Sequence, residues 1–262
     1  MVTLATALDC SQDRKRQYFI MAGFASSAER WNEFDGAWRK RLADDGLSYF
    51  HMHSFTQCIH RAIGPFDDTW IGKEDRRQRL LADLLGIIQE HAWQKFAGVL
   101  PVNSFRMFSD ETREDFVPTM IATAGRLIWA DIETWRKREK FRNQSRIVFE
   151  NGDTDKGSLI AALQDLTGTV PSFELKKDDP ERGIVAFTPL QAADILAYEA
   201  QKLTHKFDDP VNTVSLRFPY HELELVPGDI KVLRPDGAHM LDEVARVIQF
   251  FEKNPLPNKT VQ

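Results

Sequence analysis

Three carboxylates stand where a lone charge has to be accounted for. Asp9 closes the apolar run Leu4-Ala5-Thr6-Ala7-Leu8, and Glu150 closes Ile147-Val148-Phe149. Asp194 lies among Leu190, Ala193, Leu196 and Ala197, which recur at helical spacing. An acid on the apolar side of a helix is costly unless something pairs with it. A neighbouring strand can supply hydrogen bonds, and a strand-end acid is commonly a turn or cap residue. The chemically sharper partner is Mg2+ or Mn2+, both of which take oxygen ligands. Two such ions a few ångström apart activate water and stabilise the leaving oxygen of a phosphodiester. The metal reading predicts that Asp9, Glu150 and Asp194 converge, with carboxylates within roughly 4–8 Å of one another. Asp153 is a further candidate ligand, as is Glu199 if the helix is turned to present it.

A second group of donors follows His51-Met52-His53, namely Cys58 and His60. His-x-His places two imidazoles on one face of a strand, and Cys-x-His could complete a zinc tetrahedron, giving a zinc-stabilised scaffold. The alternative is His51 beside the acids as a proton carrier or phosphate contact. Cys10 adjoins Asp9 with no activating base in view and reads as an inert buried thiol rather than a nucleophile. The chain lacks a P-loop, a Gly-x-Gly-x-x-Gly and a Gly-x-Ser-x-Gly, so nucleotide-binding and serine-hydrolase readings have no motif behind them.

These residues need a scaffold that holds them. Residues 2–8 read as a strand, and 17–25, apolar on both alternating faces, as a central strand hairpin-paired with it across Asp13-Arg14-Lys15-Arg16. Ser26 and Glu29 form a capping box for a helix with Trp31, Phe34, Trp38 and Leu42 on one face, stopped by Gly46. Helical spacing returns over 74–91 and over 110–135, the latter with Pro118 in its first turns. Short strands are expected at 95–102, 147–150, 172–176 and 184–187, and a helix at 158–166. Thr188, Pro189 and Gln191 supply an N-cap, a first-turn proline and a capping box for the helix of Asp194, running to about His205. Residues 207–227 show no period, and a last strand at 230–233 precedes a helix over 238–252.

The 262 residues contain no repeat or linker, so one α/β domain is expected, with a core over about 1–205 and an extension over about 206–262. No apolar run approaches a membrane span, and no basic-then-apolar leader opens the chain, which points to the cytoplasm. Two cysteines fit a reducing compartment. The net charge of −5 gives no global attraction to nucleic acid, so a nucleic-acid enzyme would need a local basic patch. The densest is Arg136-Lys137-Arg138-Glu139-Lys140-Phe141-Arg142, which is either a solvated helix end or a phosphate-contacting run.

The order of elements resembles the ribonuclease H-like fold: strand with an acid, antiparallel strand, later strand with an acid, final helix with an acid. Within that class the chain resembles the bacterial family known as domain of unknown function 3800. Asp9-Cys10-Ser11-Gln12 falls where the family has Asp-Glu-Ser-Gly, and Phe50-His51-Met52 resembles its Phe-His segment. Phe149-Glu150-Asn151-Gly152-Asp153 falls where an acid ends a middle strand, and Leu190-Gln191-Ala192-Ala193-Asp194 with Ala197-Tyr198 matches the closing Leu-Gln-x-Ala-Asp motif. The resemblance implies a mixed sheet flanked by helices and a metal site, and the function expected from the acids is that of a metal-dependent phosphodiesterase or nuclease acting on DNA or RNA. Cys10 and Gln12 depart from the first motif, and a thiol there is a poor magnesium ligand. The rival reading is a protein that kept the fold, lost catalysis and acts through a protein or nucleic-acid partner.

Overall fold

The structure, a computed structural model, describes residues 3–12, 17–103, 119–143, 145–151, 155–167, 170–208 and 217–232, with Asp242, Arg246 and Gln249 as isolated positions. Among the described residues six strands form one mixed sheet in the order β5-β4-β1-β2-β3-β6. Strand β1 (Leu4–Gln12) pairs antiparallel with β2 (Tyr18–Ser27), which pairs antiparallel with β3 (Gln94–Pro101). On the other side of β1 lie β4 (Ser145–Glu150) and β5 (Ser172–Glu174), both parallel to it. The short β6 (Ile230–Val232) runs parallel to β3 at the far edge.

Alternation along each strand sorts its side chains between two faces. Leu4 and Leu8 of β1 pack with Ile147 and Phe149 of β4 on one face. Ala7 packs with Val148 and Leu190 on the other. Asp9 and Glu150 are in step with Ala7 and Val148, so both belong to that second face. The register Leu8↔Phe149 then sets the two acids side by side one step further on.

Helices cover both faces. The Asp9 face carries α1 (Ala28–Asp44), α2 (Met52–Gln57) and α3 (Glu74–His91). The opposite face carries α4 (Met120–Arg138) and α5 (Lys156–Thr167). The Asp9 face is completed by α6 (Pro189–Asp208), which lies across β1 and β2, and by the short α7 (Phe218–Glu224). Among the described residues no helix is long and apolar enough to cross a membrane.

Helix α1 buries Trp31, Phe34, Trp38 and Leu42 at the expected three- and four-residue spacing, and Gly46 follows its end at φ 73°. Its cap differs from the expected one. Pairing with Leu4 carries β2 through Ser27, and the Ser27 hydroxyl accepts Arg30 N–H, while the Ser26 hydroxyl donates to the His91 carbonyl. Gly23 lets β2 close on β1, since a Cβ there would lie 1.8 Å from the Ala7 carbonyl oxygen.

Other expected bounds shift for local reasons. Thr119 is extended and its hydroxyl accepts Ala122 N–H, so α4 starts at Met120. The expected earlier turns, with Asp110 and Pro118, fall in 104–118, outside the described residues. Strand β5 stops at Glu174 because the next carbonyl, Leu175, accepts Phe187 N–H instead of continuing the ladder. Residues 184–187 form no strand, and Ile184 makes one isolated bridge to Asp179. Helix α7 lies within the stretch that showed no period. The expected helix over 238–252 lies outside the described residues apart from the three isolated positions, and the turn 13–16 and Asp153 also lie outside them.

Candidate active site: three carboxylates around a lysine

The parallel strands β1, β4 and β5 end on one side of the sheet, and Asp194 projects toward the same place from α6. All three acids reach a single atom, the Nζ of Lys176. It lies 3.0 Å from Asp9 Oδ1, 2.8 Å from Glu150 Oε2 and 3.6 Å from Asp194 Oδ1. The sequence reading missed Lys176. A signal existed: it follows β5 by two positions, in step with Ser172 and Glu174, at the same carboxyl-terminal edge where Asp9 and Glu150 stand.

The closing motif accounts for much of this placement. Gln191 was expected to complete a capping box, but its side chain is buried and bonded elsewhere. Its Oε1 accepts Trp38 Nε1–H at 2.8 Å and Phe50 N–H at 2.7 Å, and its Nε2 donates to the Lys176 carbonyl at 2.5 Å. The Thr188 hydroxyl likewise donates to Asp35 Oδ1, so the first turn of α6 relies on the Gln191 N–H to Thr188 carbonyl bond. Asp194 accepts Met52 N–H through Oδ2 and turns Oδ1 toward Lys176. It is therefore both a structural anchor for α2 and a member of the cluster.

Burial raises Asp9 well above the usual carboxylate range; Lys176 opposes the shift, while Asp194 and Glu150 add to it. Burial by itself would lower the Lys176 ammonium, but the three acids carry it well above its ordinary value. The lysine stays charged, and burial disfavours ionisation of Asp9, which is 2% exposed. Asp9 Oδ1 is buried and, despite its nearness to the ammonium, has no aligned hydrogen-bond donor.

A cavity of about 340 Å³ opens over the cluster, lined by His51, His53, Tyr198, Gln201 and Lys202 beside the acids. His51 Nδ1 lies 3.0 Å from the Ser54 hydroxyl, and burial lowers its pKa against the pull of Asp194. Asp194, Tyr198 and Lys202 share one helix face at four-residue spacing. Gln201 donates to the Gln12 carbonyl and ties the end of β1 to that face.

Other candidates go elsewhere. Glu199 is buried beneath α6, 3.3 Å from Arg217, rather than turned to the cluster. His51 and His53 line the cavity, but the Cys58 thiol sits in the core and donates to the Phe55 carbonyl, and burial pushes its pKa up. The zinc quartet therefore does not assemble. Cys10 lines the cavity and packs against the core of the opposite face. The basic run lies at the amino-terminal end of β4, with Glu150 at the other end, about 16 Å away at strand rise. Arg136 is bonded to buried Glu133 at 2.6 Å and to the Phe141 carbonyl, whereas Lys137, Arg138, Lys140 and Arg142 are exposed.

Among the described residues no three His, Cys, Asp or Glu side chains are gathered closely enough to hold a metal ion as they stand. No protein-family model, curated protein or solved structure matches the chain.

Proposed function

We propose that the protein is a metal-dependent phosphodiesterase of the ribonuclease H-like class, similar to the domain of unknown function 3800 family, acting on DNA or RNA. The observation that carries the reading is the convergence of Asp9, Glu150 and Asp194 on one cationic centre beneath an open cavity. The element order behind the resemblance is supported by the antiparallel β1–β2 pair, the parallel β1–β4 pair and α6 across them.

The residues fit a hard divalent ion. Their donors are all carboxylate oxygens, one of them a buried oxygen with no aligned donor, and three carboxylates face a single ammonium. Ion-pair distances of 2.8–3.6 Å exceed the 2.0–2.1 Å of a magnesium–oxygen bond, so the acids would have to draw in. Such an ion supplies Lewis acidity and lowers the pKa of a water beside the phosphorus. Asp9, Glu150 and Asp194 would hold it. His51, favoured in its neutral form by burial, would take the proton of the attacking water at Nε2, since Nδ1 faces Ser54. Lys202, whose ammonium lies 4.8 Å from the centre of the Tyr198 ring at the cavity wall, offers a charge for a phosphate. The run from Arg136 to Arg142 would touch only a polymer long enough to round the sheet.

The test is cleavage of single-stranded and duplex oligonucleotides with Mn2+ by the parent and by Asp194→Asn. Cleavage lost in the variant supports the reading. Binding without cleavage at saturating Mn2+ supports the catalytically inactive binding protein, which Lys176 among the acids and Cys10 in the first motif favour. Neither binding nor cleavage removes both.

A further inference from the structure

Lys176 fills the place that a metal ion would take, and it does so incompletely. Its ammonium is 2.8 Å from Glu150 but 3.6 Å from Asp194, and Asp9 Oδ1 beside it has no aligned donor. Its main chain is pinned, because buried Gln191 donates to the Lys176 carbonyl while also accepting from Trp38 and Phe50. Its side chain is held differently, by ion pairs to the three acids at 2.8–3.6 Å on a flexible four-carbon stem that borders the cavity. A fixed backbone with a cation held through ion pairs is what a reversible counter-ion requires.

We propose that Lys176 is an exchangeable internal counter-ion, which holds Asp9, Glu150 and Asp194 together without metal and swings into the cavity when a divalent cation takes its place. This rests on the metal-dependent reading above. Carboxylates packed this close repel one another, so the lysine lets the site fold before any ion arrives. The ammonium keeps its proton in the exchange: it moves into the cavity with its charge, and the divalent ion brings two. The cost is competition, because the site is receptive only in the fraction of molecules whose lysine has swung out, and the apparent affinity is reduced by that fraction.

The experiment compares Mn2+ binding by the parent, by Lys176→Gln and by Lys176→Met, using the electron-paramagnetic signal of free Mn2+ and calorimetry, with no turnover involved. Both variants are expected to bind Mn2+ about tenfold tighter or better and to melt lower than the parent in metal-free buffer, with the gap closing as Mn2+ is added. A parent that binds Mn2+ while the folded variants bind no tighter overturns the exchange and leaves the metal reading standing. No binding by parent or variants overturns both. A second measurement needs no variant: in nitrogen-15 lysine spectra of the parent, one slowly exchanging ammonium in metal-free buffer should move or vanish on adding Mg2+. Its persistence at saturating Mg2+ overturns the proposal.

Discussion

The Asp194 carboxylate accepts the backbone N–H of Met52 at 2.6 Å, so an acid on one helix holds the first turn of another that begins 142 positions earlier. That bond leaves Oδ1 for the cluster, and the two tasks separate by substitution. Asp194→Asn keeps an oxygen for Met52 and removes a charge from a crowded acid group. It should melt at or above the parent temperature in metal-free buffer while losing any metal-dependent cleavage. Asp194→Ala orphans the Met52 N–H and should cost about 1–2 kcal/mol in urea unfolding. Equal losses in both variants would mean that the charge, not the hydrogen bond, is what the fold needs.

Gln191 joins α1, the chain before α2 and the Lys176 carbonyl through one amide. Replacing it with Leu preserves volume but leaves Trp38 Nε1–H and Phe50 N–H without their acceptor. Two orphaned buried donors predict a loss of about 2–5 kcal/mol by chemical denaturation. A loss under about 1 kcal/mol would show that water or a neighbouring group satisfies them.

Glu199 makes stability depend on pH. Burial lifts its pKa to about 7 from an ordinary 4.5, against Arg217 and Lys202. The folded chain thus binds this proton more tightly than the unfolded chain does. The stability so conferred is complete below about 4.5 and is lost as the pH rises through about 7. Glu199→Gln should flatten the fall of melting temperature across that window and gain on the order of 1–3 kcal/mol above it. Asp9 shifts in the same direction, so the informative quantity is the difference between variant and parent at each pH. Parallel curves would show that Glu199 is not the group responsible.

The placement of the basic residues yields a directional prediction about nucleic acid. Lys137, Arg138 and Lys140 are exposed at the amino-terminal end of β4, while Lys202 borders the cavity. Converting the first three to Ser should leave short-oligonucleotide affinity unchanged. Lys202→Ser should weaken it and reduce the salt slope by about one. Adding Arg136→Ser to the set should lower stability, since it strips buried Glu133 of its partner. The opposite pattern, with the run dominant and Lys202 silent, would place the polymer on the other end of the sheet.

Much of the frame is legible in the chain itself, because periodicity is a local property. Continuous apolar runs mark β1, β2 and β4 and place Asp9 and Glu150 directly after them, although pairing with β2 carries β1 on to Gln12, and the 3.6-residue stripe marks α6 with Asp194 inside it. Caps were less legible. Ser26 and Ser27 are equally good caps by type, and the pairing of Ser27 with Leu4 decided between them. Gln191 has the right spacing for a capping box, yet three distant buried groups claimed its amide.

The acids themselves, the apolar runs they follow and their helix face were determined by the sequence. Which cation neutralises them was decided only by the tertiary structure. Lys176 closes an expected strand at the margin of a polar loop, where a lysine usually means solvent; its step with Ser172 and Glu174 places it at the sheet edge but does not show what it meets there. Only the parallel alignment of β1, β4 and β5, with α6 folded across their ends, brings its ammonium within reach of Asp9, Glu150 and Asp194. Alternation along a strand is set by the backbone of that strand alone, whereas the charge balance of a buried cluster is set by whichever elements pack around it.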